Sequence, residues 1–359
     1  GDIKIKILFL SSHSVLEYDL LTLFTEIDST LSENEKLNLE IFSLGAYANP
    51  TLDADFLRSV IPHGKFYPEL YQVYMQCDKD NIHDELLDWA NVIFFMHNSV
   101  VPGDKYFQPW VVKNWKKIRE RNKKTIWYSI GQSTQSIEKE LKPYRDKGMN
   151  IVRYSPLEEK LPEFAGQDAM IRFYKDPDEF KGWVGDRLQI ITVAQSFKKR
   201  GDHLGYSLFD RVTANFQRKV FGTENEDLGD INGGRVSYQH LKNELKENRV
   251  FFYFGTTPAA YTLSFIEALC TGIPIVAAGP KLREHSAYRW PNYEIPDIIT
   301  NGTNGYFSDS IDELIGYIDL LMKDKERAMA IGQAGRETAI KLFGKQMIQR
   351  QWVDFLRKI

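Results

Sequence analysis

The stretch Arg249-Val-Phe-Phe-Tyr-Phe-Gly-Thr-Thr-Pro-Ala-Ala-Tyr-Thr-Leu-Ser-Phe-Ile-Glu-Ala-Leu-Cys-Thr-Gly-Ile-Pro-Ile-Val-Ala-Ala278 decides the fold. Its two apolar runs, 250–254 and 275–278, are bounded by glycine and proline, the pattern of short strands buried on both faces of a parallel sheet. Parallel neighbours need a crossover, and the segment between these runs ends at Gly272 and Pro274, residues that stop a helix. The unit is therefore strand, helix, strand, and its helix carries a single acid, Glu267. The first-turn amides of such a helix lack intrahelical acceptors and stand at the positive end of its dipole, so a phosphate or diphosphate is the ligand they suit.

Outward from that unit, strand-like and helix-like segments alternate, which predicts parallel sheets with helices on their faces. Towards the N-terminus the order is strand 3–10, helix 16–31, strand 39–44, strand 90–96, helix 107–121, strand 125–130, helix 137–147 and strand 150–154. Residues 173–187 are rich in turn formers and interrupt the alternation, which places the domain boundary there. The pattern restarts with strand 189–194, helix 202–216, strand 218–221 and helix 238–247, and closes with helices 312–322, 326–342 and 345–358. The expected fold class is α/β, with two Rossmann-like doubly wound parallel-sheet domains at 1–180 and 181–344 and a terminal helical segment at 345–359.

Composition agrees. A chain of 359 residues with 43% hydrophobic and 26% charged residues is globular and long enough for two cores. Its net charge of −3 argues against a general attraction to nucleic acid. The two cysteines, Cys77 and Cys270, form neither a disulfide framework nor a zinc site and suit a reducing compartment. No basic-plus-apolar leader and no run of ~20 apolar residues occurs, so a cytoplasmic location is expected. Neither a Gly-x-Gly-x-x-Gly turn nor a Gly-x-x-x-x-Gly-Lys loop is present, which argues against a dinucleotide oxidoreductase or an NTPase.

Residues 261–277 resemble the donor-binding signature of the family-4 retaining glycosyltransferases, whose two Rossmann-like domains face a central cleft (the GT-B fold). Tyr261, Thr262 and Leu263 fall on that family's aromatic-Gly-Leu triplet. Glu267-Ala-Leu-Cys-Thr-Gly-Ile-Pro-Ile-Val-Ala277 falls on its Glu-Ala-(Leu/Met)-x-x-Gly-x-Pro-(Ile/Val)-Val-Ala continuation. Two positions depart: Ala259 stands where the Glu-x7-Glu pattern has its first glutamate, and Thr262 where the triplet has glycine. The resemblance implies a nucleotide-sugar donor, with Glu267 accepting hydrogen bonds from the ribose, the amides of Thr262 and Leu263 facing the diphosphate, and Tyr261 beside them. It also implies that 345–359 crosses back to the first domain, which would form the acceptor side. A surface glutamate on an ordinary crossover helix is the alternative for Glu267.

After the restart strand comes Lys198-Lys199-Arg200-Gly201. In the resembled family this turn carries an arginine and a Lys-Gly pair that neutralise the departing diphosphate. Arg200-Gly201 fits the Lys-Gly position, and Lys198 or Lys199 stands in for the arginine. Fixed cations lower the barrier to breaking a sugar–phosphate bond because charge builds on the leaving group, so Arg200 and Lys199 are candidate catalytic residues and Lys198 a donor contact. A solvated basic turn is the alternative. Gly222, ending strand 218–221, resembles the family's glycine turn beside the nucleotide.

In the first domain, Ser12 and His13 follow strand one and are candidate donor contacts, helix capping being the other reading. His97 ends strand 90–96, where parallel sheets place their ligands, and is a candidate catalytic residue or a turn histidine held by backbone. Residues 113–124 are strongly basic with an apolar stripe. They read as a packed helix with a solvated face, or as a contact for a membrane surface or a polyanion. Asp53-Ala54-Asp55, Asp78-Lys79-Asp80 and Asp176-Pro177-Asp178 have Asp-x-Asp spacing, but none ends a strand, so no metal and no other cofactor is expected. The expected activity is glycosyl transfer from a nucleotide-sugar to a saccharide, lipid-linked or macromolecular acceptor. A nucleotide-sugar epimerase and a catalytically silent nucleotide-sugar binder are the alternatives.

Overall fold

The computed structural model describes residues 4–11, 13–43, 68–76, 80–96, 99–104, 109–131 and 133–359. The chain divides into two units, one of Gly1–Tyr174 with Gln346–Ile359, the other Lys175–Lys345.

In the first unit the strands β1 (Ile5–Ser11), β2 (Leu39–Ser43), β3 (Val92–Met96), β4 (Lys124–Tyr128), β5 (Asn150–Arg153) and β6 (Ala169–Met170) form one sheet in the order β2-β1-β3-β4-β5-β6. Every pairing is parallel. β3 is buried along its whole length, as its unbroken apolar sequence requires of a strand covered on both faces. Phe9 stacks on Phe94 at 4.7 Å. The terminal helix Lys345–Lys358 sets Trp352 among Phe24, Phe94 and Tyr128 at 5.4, 5.6 and 5.3 Å. At the end of β5 the fully buried Arg153 forms a two-pronged pair with Glu138, at 2.9 and 2.6 Å. Ser129 Oγ donates to the equally buried Glu158 at 2.6 Å.

The second unit holds β7 (Arg187–Val193), β8 (Arg218–Phe221), β9 (Asn232–Gly234), β10 (Asn248–Tyr253), β11 (Ile275–Ala278) and β12 (Tyr306–Ser308), again all parallel, in the order β12-β11-β10-β7-β8-β9. The chain winds outward from β7 to β9, returns to β10 beside β7, and winds outward the other way. That reversal between β7 and β10 is the place where an open parallel sheet leaves a crevice at its strand ends.

The structure differs from the sequence reading in three respects. The helix expected at 202–216 is broken into Phe197–Arg200, a 3-10 turn Gly201–His203 and Tyr206–Thr213. Gly205 takes φ 74, and a Cβ there would lie 2.3 Å from the Phe254 ring. β6, β9 and β12 are too short to show a period, and Asn232-Gly233-Gly234 contains no strand-forming side chain; pairing to a longer neighbour makes them strands. Residues 175–180, expected in the first domain, belong to the second unit, where Phe180 is fully buried and meets the Tyr238 ring edge-on at 5.8 Å.

Candidate functional site

Two loops leave the sheet of the second unit at the reversal, one after β7 and one after β10. In the first, Ser196 adopts a left-handed conformation (φ 48) and starts the one-turn helix Phe197–Arg200. Asn225 clamps this turn, accepting from Phe197 N at 2.9 Å and donating to Ala194 O at 2.7 Å. Gly222 makes the clamp possible: its Cα passes so close that a Cβ would stand 2.0 Å from Ala194 O. Its role is thus to let β8 approach the basic turn. Ser196 Oγ donates to Glu224.

The clamped turn presents Lys198 and Lys199 in solvent and Arg200 half-buried, none of them in an ion pair among the described residues. Their state contrasts with that of the basic helix Trp110–Glu120 of the first unit. There Lys113 meets Asp80 at 3.1 Å, Lys117 meets Asp84 at 3.1 Å and, just past the helix, Arg121 meets Asp88 at 2.8 Å. Aspartates thus answer three cations of that segment, whereas no carboxylate among the described residues answers Lys198, Lys199 or Arg200 at the strand end. Thr257 N donates to His203 O at 2.8 Å, tying the basic turn to the loop after β10.

The second loop leads into the helix Leu263–Thr271, which carries Glu267. Glu267 is only 6% exposed, so it is not a surface residue of a crossover helix. Its Oε2 lies 3.2 Å from Lys175 Nζ. Lys175, fully buried, also donates to Tyr238 Oη at 3.3 Å and stands over the rings of Phe180 and Tyr238. A buried carboxylate costs several kcal/mol unless a cation and hydrogen bonds accompany it, and Lys175 supplies the cation. Lys175 and Tyr238 escaped sequence reading. The lysine sits in a turn-rich segment, and only tertiary contact brings it to a helix so far along the chain.

The helix is held in place from its far end. Gly272 takes φ 90 and closes it, and Gly332 of the helix Lys325–Phe343 packs so tightly that a Cβ would lie 1.8 Å from Gly272 O. Arg336 donates to Cys270 O at 2.7 Å, a cation on the last carbonyls of the helix, and to Asp178 at 3.1 Å. Asp176 caps the Asp178 amide at 3.0 Å, so both carboxylates of Asp176-Pro177-Asp178 serve the turn.

Other candidate residues fall differently. The Thr262 N–H does not stand open to a ligand: it donates to Tyr253 Oη at 3.0 Å, because the phenol reaches the start of the helix from the end of β10. Burial pushes the Tyr253 phenol up and keeps it protonated. Among the expected diphosphate amides, that of Leu263 comes next in the first turn. Tyr261 turns inward, 1% exposed, against Phe343 at 5.2 Å, which makes its ring part of the core. His13 caps the helix Ser14–Ile27, its Nδ1 accepting from Leu16 N at 3.3 Å, so the capping reading fits it better than a donor contact. Ser12, His97, Asp53, Asp55 and Asp78 lie outside the described residues. Among the described residues no group of three His, Cys, Asp or Glu side chains could hold a metal ion, and no helix is long and apolar enough to cross a membrane.

The fold is that of the GT-B glycosyltransferases, with two Rossmann-like units. Anabaena HepE, solved with UDP and glucose, is similar over 99% of this chain and 100% of its own at 14% identity, with a TM-score of 0.62. The sucrose-phosphate synthase of Thermosynechococcus elongatus is similar over 99% of this chain and 98% of its own at 14% identity and a TM-score of 0.62. A glycosyltransferase of Rickettsia africae is similar over 100% and 98% at 14% identity and a TM-score of 0.60. No protein-family model matches the chain, and no curated protein matches it in sequence.

Proposed function

We propose that this chain is a glycosyltransferase that moves a sugar from a nucleoside-diphosphate sugar to an acceptor, with retention at the anomeric carbon and no need of a divalent ion. One observation carries the reading. The strand-order reversal between β7 and β10 brings the unneutralised Lys198-Lys199-Arg200 turn to the same sheet edge as the helix of the buried Glu267. HepE, of the same fold, was solved with UDP-glucose, a ligand of the proposed kind.

Breaking the bond between sugar and diphosphate builds negative charge on the leaving group. Lys199 and Arg200 meet that charge, aided by the Leu263 amide at the positive end of its helix. Lys198 adds attraction for the bound diphosphate, and Glu267, steadied by Lys175, accepts from the ribose hydroxyls. The leaving phosphate itself takes the acceptor proton, so no side chain is assigned as the base.

A panel of nucleoside diphosphates and nucleotide sugars tests this by thermal shift, since a ligand at 100 times its Kd stabilises by ~2.7 kcal/mol. We expect a base-selective shift lost in Glu267→Gln, and release of nucleoside diphosphate that persists in excess EDTA. No shift with any nucleotide overturns the reading. Ala259, which stands where the resembled pattern has glutamate, favours one second reading, a silent nucleotide-sugar binder. That reading predicts the same shifts with no release of nucleoside diphosphate.

A further inference from the structure

We infer that a pocket in the second unit recognises a sugar bearing a carboxylate or a phosphate. The pocket lies beside the loops that follow β10 and β11 and has a volume of about 590 Å3, the size of a small-ligand site. Its lining carries three basic side chains, Lys281, Arg283 and Arg289, against one carboxylate, Glu284. Arg283 is committed to the fold: its Nε donates to Phe254 O at 2.7 Å and its guanidinium lies 3.8 Å from the Tyr293 ring. Lys281 and Arg289 are exposed and form no ion pair among the described residues.

The rest of the lining narrows the ligand further. Tyr288 and Trp290 stand 5.4 Å apart, edge to face, and make an aromatic wall. Trp290 Nε1 and Thr257 Oγ1 are buried with no hydrogen-bond partner, although Thr257 is only 6% exposed. Buried polar atoms are ordinarily paired. The indole can only donate and the hydroxyl can do either, so both suit a ligand rich in oxygen. An inorganic anion would leave the aromatic wall unused, and a neutral sugar would leave the two cations without a counter-charge. An anionic sugar ring meets all of them, its C–H face on the rings, its hydroxyls on Thr257 and Trp290, and its charge on Lys281 and Arg289. The residue that follows this part of the lining is Ala259, so no acid there repels such a sugar.

The ligand has two sources, the glycosyl part of the donor, which rests on the function proposed above, or a separate sugar acid or sugar phosphate, which does not. Calorimetric titration of the whole chain distinguishes them. One arm compares UDP, UDP-glucose and UDP-glucuronate, the other glucose, glucuronate and glucose 6-phosphate, each on wild type and on Lys281→Ala/Arg289→Ala. A charge-assisted hydrogen bond changes affinity by about tenfold, so the charged sugar should exceed its neutral counterpart by at least that factor in one arm. The double variant, altered only at exposed side chains, should lose the preference and keep its Tm. Preference among the UDP sugars assigns the pocket to the donor, and preference among the free sugars assigns it to an acceptor. Absence of the preference in both arms, or its survival in the double variant, overturns the inference. Failure of the glycosyltransferase reading looks different: no nucleoside diphosphate then binds, while the free anionic sugars still do.

Discussion

Lys175 and Glu267 are both withdrawn from water, and neither is tolerated there alone. Lys175→Met should therefore destabilise the protein by about 3–5 kcal/mol in denaturant unfolding, the cost of breaking a buried ion pair from one side. Lys175→Met/Glu267→Leu should regain most of that. If the single variant unfolds like wild type, the pair does not hold the site. In the first unit, burial pushes Glu158 from 4.5 up to about 7 against the opposing pull of Arg153 and Ser129. The folded state thus keeps a proton that the unfolded chain has released, so this stabilisation is complete below pH 4.5 and is lost as pH rises through about 7. Urea midpoints for the first unit should fall between pH 5 and pH 8, and Glu158→Gln should flatten that slope. A wild-type midpoint that rises over this range contradicts the assignment.

Elements carry the next set of effects. The basic turn works as a piece, with Gly222 and Asn225 fixing its backbone and three cations projecting from it. Arg200→Ala should weaken nucleoside-diphosphate binding about tenfold and reduce its salt dependence, because one charge-assisted contact and one screened charge are lost together. Glycines separate close contact from open space. Gly332→Ala forces a Cβ to within 1.8 Å of Gly272 O and should cost about 1–3 kcal/mol. Gly316→Ala, in the helix Ile311–Lys323 with nothing within 4 Å, should stabilise by about 0.5–1 kcal/mol. Equal Tm changes in the two variants would refute the packing argument. The long elements were legible because their periods were: β3, β10, β11 and the last three helices stand within a few residues of where apolar spacing puts them. The break at Gly205 was not, since its cause, the Phe254 ring, lies far along the chain.

At the scale of the whole molecule, Trp352 joins the last helix to aromatic residues in the core of the first unit. Trp352→Ala removes the ring that touches Phe24, Phe94 and Tyr128 and should cost about 3–5 kcal/mol. Hydrogen exchange should quicken in β1, β3 and β4 while amides of β10 and β11 stay protected. Uniform acceleration in both units would mean that the two unfold as one. The order of strands belongs to this scale too. Both sheets contain a reversal, and the one between β7 and β10 brings residues 198–200 and 263–267 to one sheet edge although the intervening chain makes three strands.

Local sequence was enough for the class of architecture and for two pieces of the candidate site. Buried parallel strands must be apolar throughout, crossover helices must end at residues such as Gly272, and a cationic turn after a strand is visible wherever it falls. Those are local demands, written in neighbouring residues. Only the tertiary structure decided that Glu267 is buried against Lys175 and that the aspartates at 80, 84 and 88 pair with Lys113, Lys117 and Arg121. Each depends on which side chain from a distant segment comes within hydrogen-bond reach, and a partner set by the packing of whole elements leaves no period or spacing of its own in the chain.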